Sequence, residues 1–92
     1  MVLIGMEVTI KLFESASLKD KRKVIKSVLQ KTQQRYKVSA AEVGEHELLN
    51  LAELGFGVVS NDYHHARKIL NKVLSFIEDD YPVEIIQVDW LD

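Results

Sequence analysis

The chain of 92 residues contains no cysteine, one proline, four glycines and a single tryptophan. The absence of cysteine excludes a disulfide scaffold, a thiolate metal site and a cysteine nucleophile. No linker rich in proline and glycine divides the chain, and no apolar run approaches the roughly 18–20 residues that cross a bilayer. The first residues also lack the basic region of a signal peptide. We therefore expect one cytoplasmic domain that spans residues 1–92.

The first part of the chain carries two clear periodic patterns. Apolar residues alternate from Val2 to Leu12, which predicts a strand whose even-numbered side chains face inward. Ser17, followed three residues later by Asp20, is typical of a helix start. Apolar residues at helical spacing then predict a helix that ends near Tyr36.

The second part of the chain adds a short strand and then repeats the strand and helix patterns. A helix capped by Asp62 is stopped by the acidic segment that precedes Pro82. The predicted elements are, in order, a short strand over residues 38–43, a polar connection over 44–50, a strand around Leu54, Phe56 and Val58, the second helix and a last strand over 83–91.

These elements follow the order β-α-β-β-α-β. Each helix is apolar on one stripe only, so both helices must cover one face of a four-stranded sheet. Right-handed crossovers then favour a ferredoxin-like α+β sandwich with an antiparallel sheet. The second and fourth strands are edges in that arrangement, and Ser39–Ala41 offers a poorly guarded edge for homodimer formation. The alternative is an edge that is guarded by Lys37 and Glu42.

The near-equal numbers of basic and acidic residues, 12 and 14, hide a strong asymmetry. Eight of the bases lie between Lys19 and Lys37, a segment whose only acid is Asp20. Four of them share a stripe opposite the apolar face of the first helix and crowd its first turns. The helix dipole disfavours cations there by roughly 0.3–1 kcal/mol each. This placement points to binding of an anion such as phosphate.

The segment around Phe56 partly matches the signature of an RNA-recognition motif. Such a motif presents aromatic side chains on the open face of its sheet, where bases stack. Phe56 instead shares its side of the strand with Leu54 and Val58, which is the core side, so we expect no stacking platform. Gly55 and Gly57 are expected to let a helix pack closely against this strand.

No constellation typical of catalysis or metal binding is found. The three histidines are scattered, and no serine lies in a G-x-S-x-G context. Paired catalytic carboxylates need a cleft that a chain of this length hardly builds. We therefore expect no enzyme activity, no cofactor and no metal site.

Three segments carry a family resemblance: SLKDKRKVIKS from Ser17, VSAAEV from Val38, and LG at Leu54 together with VSND ending at Asp62. Together they resemble the small bacterial YlxP-like proteins, a family of unknown function. The resemblance implies a ferredoxin-like fold. It also implies a gene commonly found among translation and ribosome-maturation factors, which suggests work on ribosomal RNA. The chain departs from the usual family residues at Lys37, Ala40 and Leu49.

The sequence therefore predicts a non-enzymatic RNA- or ribosome-associated factor that contacts phosphate through its first helix. The alternative function is a homodimeric structural or regulatory module that binds a protein or a small metabolite. The basic helix face also has alternative interpretations: a solvated face, a face that pairs with the molecule's own acidic surface, or a docking site for an acidic protein. The residues predicted to contact phosphate are Lys19, Lys21, Arg22, Lys23 and Lys26.

Overall fold

The computed structural model describes every residue from Met1 to Asp92 and has the predicted order of elements. The four strands form one antiparallel sheet in the order β2-β3-β1-β4, so the predicted ferredoxin-like α+β fold is confirmed. The elements are β1 (Val2–Leu12), α1 (Leu18–Tyr36), β2 (Ser39–Gly44), β3 (Leu51–Ser60), α2 (Tyr63–Asp80) and β4 (Val83–Leu91).

The two faces of the sheet differ in what covers them. Even-numbered residues of β1 and β3 pack against the helices and are buried, whereas odd-numbered residues point away from the helices. Val8 pairs with Leu54 on one side and with Val88 on the other, so β1 is, with β3, one of the two inner strands. We call the uncovered side the open face. It consists of Leu3, Gly5, Glu7, Thr9 and Lys11 on β1, Ser39, Ala41 and Val43 on β2, Glu53, Gly55, Gly57 and Val59 on β3, and Glu84, Gln87, Asp89 and Leu91 on β4.

Aromatic contacts join the two helices. The ring of Phe76 lies edge-on to Tyr36 and to Tyr81, with centroids 5.9 and 5.7 Å away. The hydroxyl groups of Ser27 and Tyr81 are 2.8 Å apart. The residues of α1 in these contacts are Ser27 and Tyr36, so the first turns of α1 extend beyond them. Neither helix combines the length and the apolar character that crossing a membrane requires.

The ends of the helices show how local sequence sets their limits. The Asp62 carboxylate accepts a hydrogen bond from the His64 N–H at 3.0 Å, which confirms the predicted cap of α2. Lys37 ends α1 in a left-handed conformation (φ 57°), and its N–H donates to the carbonyl oxygen of Gln33 at 3.1 Å. This residue turns the chain from α1 into β2.

The strand β3 begins earlier than the sequence predicts. Its first residue is Leu51, because Ala52 continues the buried alternation and pairs with Ile10. The short side chain of Ala52 made the alternation before Leu54 weak. The strand β2 differs from the prediction by one residue at each end, since it spans Ser39–Gly44.

The glycines of β3 require a correction. The sequence predicts that Gly55 and Gly57 receive a helix, but both lie on the open face, away from the helices. Phe56 between them points into the core and is 3% exposed, as predicted. An added Cβ at Gly57 would meet only the carbonyl oxygen of Ile4, at 3.9 Å. Gly57 therefore leaves the middle of the open face free of a side chain, whereas the side chain of Val43 lies beside Gly55.

Candidate nucleic-acid interface

A serine cap starts the helix that carries the candidate interface. Ser17 has an extended backbone (φ −154°, ψ 163°), and its hydroxyl oxygen accepts a hydrogen bond from the Asp20 N–H at 3.1 Å. The Ser17 carbonyl oxygen accepts the N–H of Lys21, also at 3.1 Å, which closes the first helical turn. The cap predicted from Ser17 and Asp20 is confirmed, and it fixes the directions of the side chains that follow.

Four basic side chains project from the first turns of α1 into solvent. All four are exposed; Lys19, Lys23 and Lys26 lie on the side of the helix opposite the buried residues, and Arg22 lies on its flank. The N-terminal end of a helix carries a partial positive charge, so clustering cations there costs stability. We call this surface the basic stripe; it consists of Lys19, Arg22, Lys23 and Lys26.

No carboxylate of the molecule forms an ion pair with the basic stripe. The structure contains two ion pairs within 4.0 Å, one between Lys21 and Glu42 and the other between Arg67 and Asp92. The structure therefore shows no close pairing of the basic face with the molecule's own acidic surface. The positive charge of the stripe is directed at solvent, where it favours the approach of an anion.

Lys21, the fifth residue predicted to contact phosphate, is not part of this surface. Its side chain is buried, with the residue 1% exposed. Its ammonium donates hydrogen bonds to the carbonyl oxygens of Glu45 and Leu48, at 2.5 and 2.7 Å. The carboxylate of Glu42 lies 3.6 Å away. The ammonium is thus engaged inside the protein, and the prediction for Lys21 is corrected.

The spacing of α1 contains the signal that separates Lys21 from its basic neighbours. Lys21 lies four residues before Ile25 and seven before Val28, so it falls on the buried stripe of the helix with them. In that position it ties α1 to the connection between β2 and β3. Glu42 forms an ion pair with Lys21, whereas Lys37, the other residue considered as a guard of the β2 edge, is exposed and forms no ion pair.

Two further bases carry positive charge toward the C-terminal end of α1. Lys31 and Arg35 line a depression of about 340 Å³ together with Gln34, Phe76 and Asp80. The Arg35 guanidinium lies 5.3 Å from the centroid of the Phe76 ring, in a cation–π arrangement. These residues were absent from the predicted site. They face α2, and not the side of the basic stripe.

The sheet offers no aromatic surface for base stacking. Phe56 is buried on the core side, and Trp90 pairs with the core residue Met6 in the register. One face of the Trp90 ring is covered by the guanidinium of Arg67, whose central carbon lies 3.6 Å from the ring centroid. No group of three or more histidine, aspartate and glutamate side chains is placed to hold a metal ion. The basic stripe is therefore the best candidate for contact with nucleic acid.

The geometry defines a ferredoxin-like α+β domain with one basic helix. A solved structure of similar shape is that of the de novo designed protein LFR1 1 with ferredoxin fold. The match has a TM-score of 0.71 and 15% identity and covers 100% of this chain and 87% of the other, so it bears on the fold alone.

The chain belongs to the DUF503 family of proteins of unknown function, whose model matches residues 3–90. It is similar to the uncharacterized protein YlxP of Bacillus subtilis (strain 168), with 31% identity over 81 residues. The match covers 86% of this chain and 88% of the relative. The family resemblance seen in the sequence is thus confirmed.

Proposed function

We propose that the protein is a non-enzymatic RNA- or ribosome-associated factor whose basic stripe binds the backbone phosphates of structured RNA. One observation carries the proposal: four exposed cations stand in the first turns of α1 without a carboxylate partner. The helix dipole adds to the same positive potential. The clustered positive charge lowers the stability of the helix. Residues that lower stability in this way are typical of binding sites.

The chemistry of the stripe favours contact with phosphates over contact with bases. Lysine and arginine side chains neutralise phosphate, and such contacts position a protein without reading sequence. Affinity should therefore depend on RNA shape and on salt. With four phosphate contacts, a plot of log affinity against log salt has a slope of roughly −3.

Binding to a labelled ribosomal RNA hairpin, followed by fluorescence anisotropy across a salt series, tests the proposal. Co-sedimentation with ribosomal subunits at low and high salt is the companion measurement. The decisive variant combines Arg22→Glu with Lys23→Glu. Its matched control combines Lys68→Glu with Lys72→Glu on α2, since both residues are exposed and the change in net charge is the same.

The stripe variant should bind RNA about 10- to 100-fold more weakly, whereas the control should change affinity about threefold or less. Equal losses of RNA affinity in both variants would show that the effect depends on net charge alone. That result would overturn the assignment of RNA binding to the stripe. Absence of salt-sensitive binding to both the hairpin and the subunits would overturn RNA association itself.

A second candidate function rests on the outer edge of β2. This strand pairs only with β3, and its one acid, Glu42, is drawn toward Lys21. The unpaired backbone groups of such an edge favour pairing with the same strand of a second copy. The resulting homodimer would be a structural or regulatory module that binds a protein or a small metabolite. Light scattering that gives the monomer mass at every concentration would exclude this dimer.

A further inference from the structure

The open face exposes large apolar side chains around a centre that lacks them. Leu3 and Val59, which pair on β1 and β3, are 66% and 63% exposed. Val43 on β2 and Leu91 on β4 are about half exposed. Contiguous exposed apolar residues of this kind mark interaction surfaces, whereas single ones do not.

Two adjoining depressions run across this face. Their volumes are about 340 and 260 Å³, and they share Ser39 and Gly57. Both are shallow and open to solvent, unlike the clefts that bury most of a small ligand. Their shape therefore suits a segment of another macromolecule.

The register of the sheet sets the width of the larger depression. Gly5, Gly57 and Ser39 form a row across three strands, in which only Ser39 has a side chain. On β1 this row lies between Leu3 and Glu7, which are roughly 13 Å apart along a strand. An α-helix with its side chains is about 10–12 Å wide. A helix laid across the strands therefore fits over the glycines, between an apolar wall and a carboxylate.

The acidic residues of the open face favour a partner that carries positive charge. Nucleic acid is disfavoured, because phosphates would face carboxylates and no aromatic side chain is available for stacking. A second copy is also disfavoured, because two such faces packed about 10 Å apart would oppose acids to acids. The charged residues of this face are the acids Glu7, Glu53, Glu84 and Asp89 and the base Lys11, and a second base, Lys37, lines its smaller depression, so acids outnumber bases by four to two.

We propose that the open face docks a basic amphipathic helix of a partner protein. The apolar side of that helix lies over the glycine row and against Leu3 and Val59. Its lysine and arginine residues approach Glu7 and Asp89, which are neighbours in the register of β1 and β4. The proposal does not depend on RNA binding, because the basic stripe lies on α1 and the open face is the side of the sheet that points away from the helices.

Titration of the isotope-labelled protein with synthetic helical peptides, followed by NMR, tests this proposal. Two peptides share the same leucine positions, and the remaining positions are Lys and Arg in one and Glu and Asp in the other. Gly57→Val fills the depression in a place where a Cβ meets only ordinary contacts. Glu7→Lys reverses the nearest charge, and Glu78→Lys, an exposed change on α2, is its matched control.

The basic peptide should shift the amide resonances of open-face residues on β1 and β3. Gly57→Val and Glu7→Lys should each weaken its binding about tenfold or more, while Glu78→Lys leaves it within about twofold. A dispersed spectrum of each free variant establishes that it is folded.

Several results would overturn the proposal. They are equal binding of the acidic peptide, shifts confined to α1 and α2, and no shift with either peptide. Self-association that Gly57→Val abolishes would assign the face to a second copy. Shifts of open-face resonances on addition of the RNA hairpin would assign it to nucleic acid.

Discussion

The ammonium of Lys21 donates a hydrogen bond to the carbonyl oxygen of Leu48 at 2.7 Å, joining α1 to the connection between β2 and β3. A second bond to the Glu45 carbonyl oxygen strengthens this link. Glu45 itself has a left-handed backbone (φ 59°), so the connection turns sharply where the ammonium holds it. A cation within the apolar stripe of a helix thus organises a loop that has few hydrogen bonds of its own.

Replacing this cation should destabilise the protein. Lys21→Met keeps most of the apolar stem but leaves two carbonyl oxygens and the Glu42 carboxylate without their donor. We expect the free energy of unfolding to fall by about 1.5–3 kcal/mol, measured by urea denaturation. Lys19→Met, on the exposed side of the same turn, should change it by about 0.5 kcal/mol or less. Equal effects of the two substitutions would show that the buried ammonium has no special role.

The two glycines of β3 should respond differently to alanine. Neither has a positive φ, and an added Cβ at Gly57 has room, so Gly57→Ala should raise stability by about 0.4–1 kcal/mol. At Gly55 the Cβ would lie 3.0 Å from Val43 Cγ1, so the valine must move. We expect Gly55→Ala to be about 1 kcal/mol less stable than Gly57→Ala in thermal unfolding. The reverse order would contradict the packing described for the open face.

Alanine substitution of two phenylalanines should distinguish a core position from a surface position by its cost in stability. Phe76 is buried between the helices and contacts two tyrosine rings, so Phe76→Ala should cost about 3–5 kcal/mol. Phe13 is 59% exposed after the end of β1, and Phe13→Ala should cost about 0.5 kcal/mol or less. Denaturant midpoints of the two variants measure the difference. A large loss in the Phe13 variant would indicate a buried contact that the structure lacks.

The single tryptophan reports on the contact with Arg67. The guanidinium covers one face of the Trp90 ring and forms an ion pair with Asp92 at 3.4 Å. Arg67→Ala should shift the fluorescence emission to longer wavelength, because water reaches the ring, and should lower stability by roughly 0.5–1 kcal/mol. Lys68→Ala, at the exposed next position, should leave the emission unchanged. An unchanged spectrum in the Arg67 variant would contradict the stacking.

Most of the fold follows from periodicity that is visible in the sequence. The alternation from Val2 to Leu12 and the helical spacing that leads to Tyr36 each predict one element with its buried side, and the structure confirms both. Such patterns are reliable because one face of each element must be removed from water. Boundaries are less predictable where small residues such as Ala52 carry the pattern weakly.

The candidate site was only partly predictable. Most of the basic stripe follows from helical geometry, because Lys19, Lys23 and Lys26 lie far from the apolar side. Charge alone places Lys21 in the site, whereas its position four residues before Ile25 and seven before Val28 places it on the buried stripe. The glycine row on the open face could not be predicted, because it depends on which residues of β1, β2 and β3 stand opposite one another. That register is a property of the assembled sheet and not of any one segment.

The strand order has a consequence for the synthesis of the chain. The inner strand β1 is made first, but its two neighbours are β3 and β4, and β4 follows both helices. A nascent chain that has not reached Val83 therefore leaves one edge of β1 unpaired. Such an edge, with apolar residues at every second position, is prone to association with other chains. Translation pauses before β4 should thus make the nascent protein a client of chaperones.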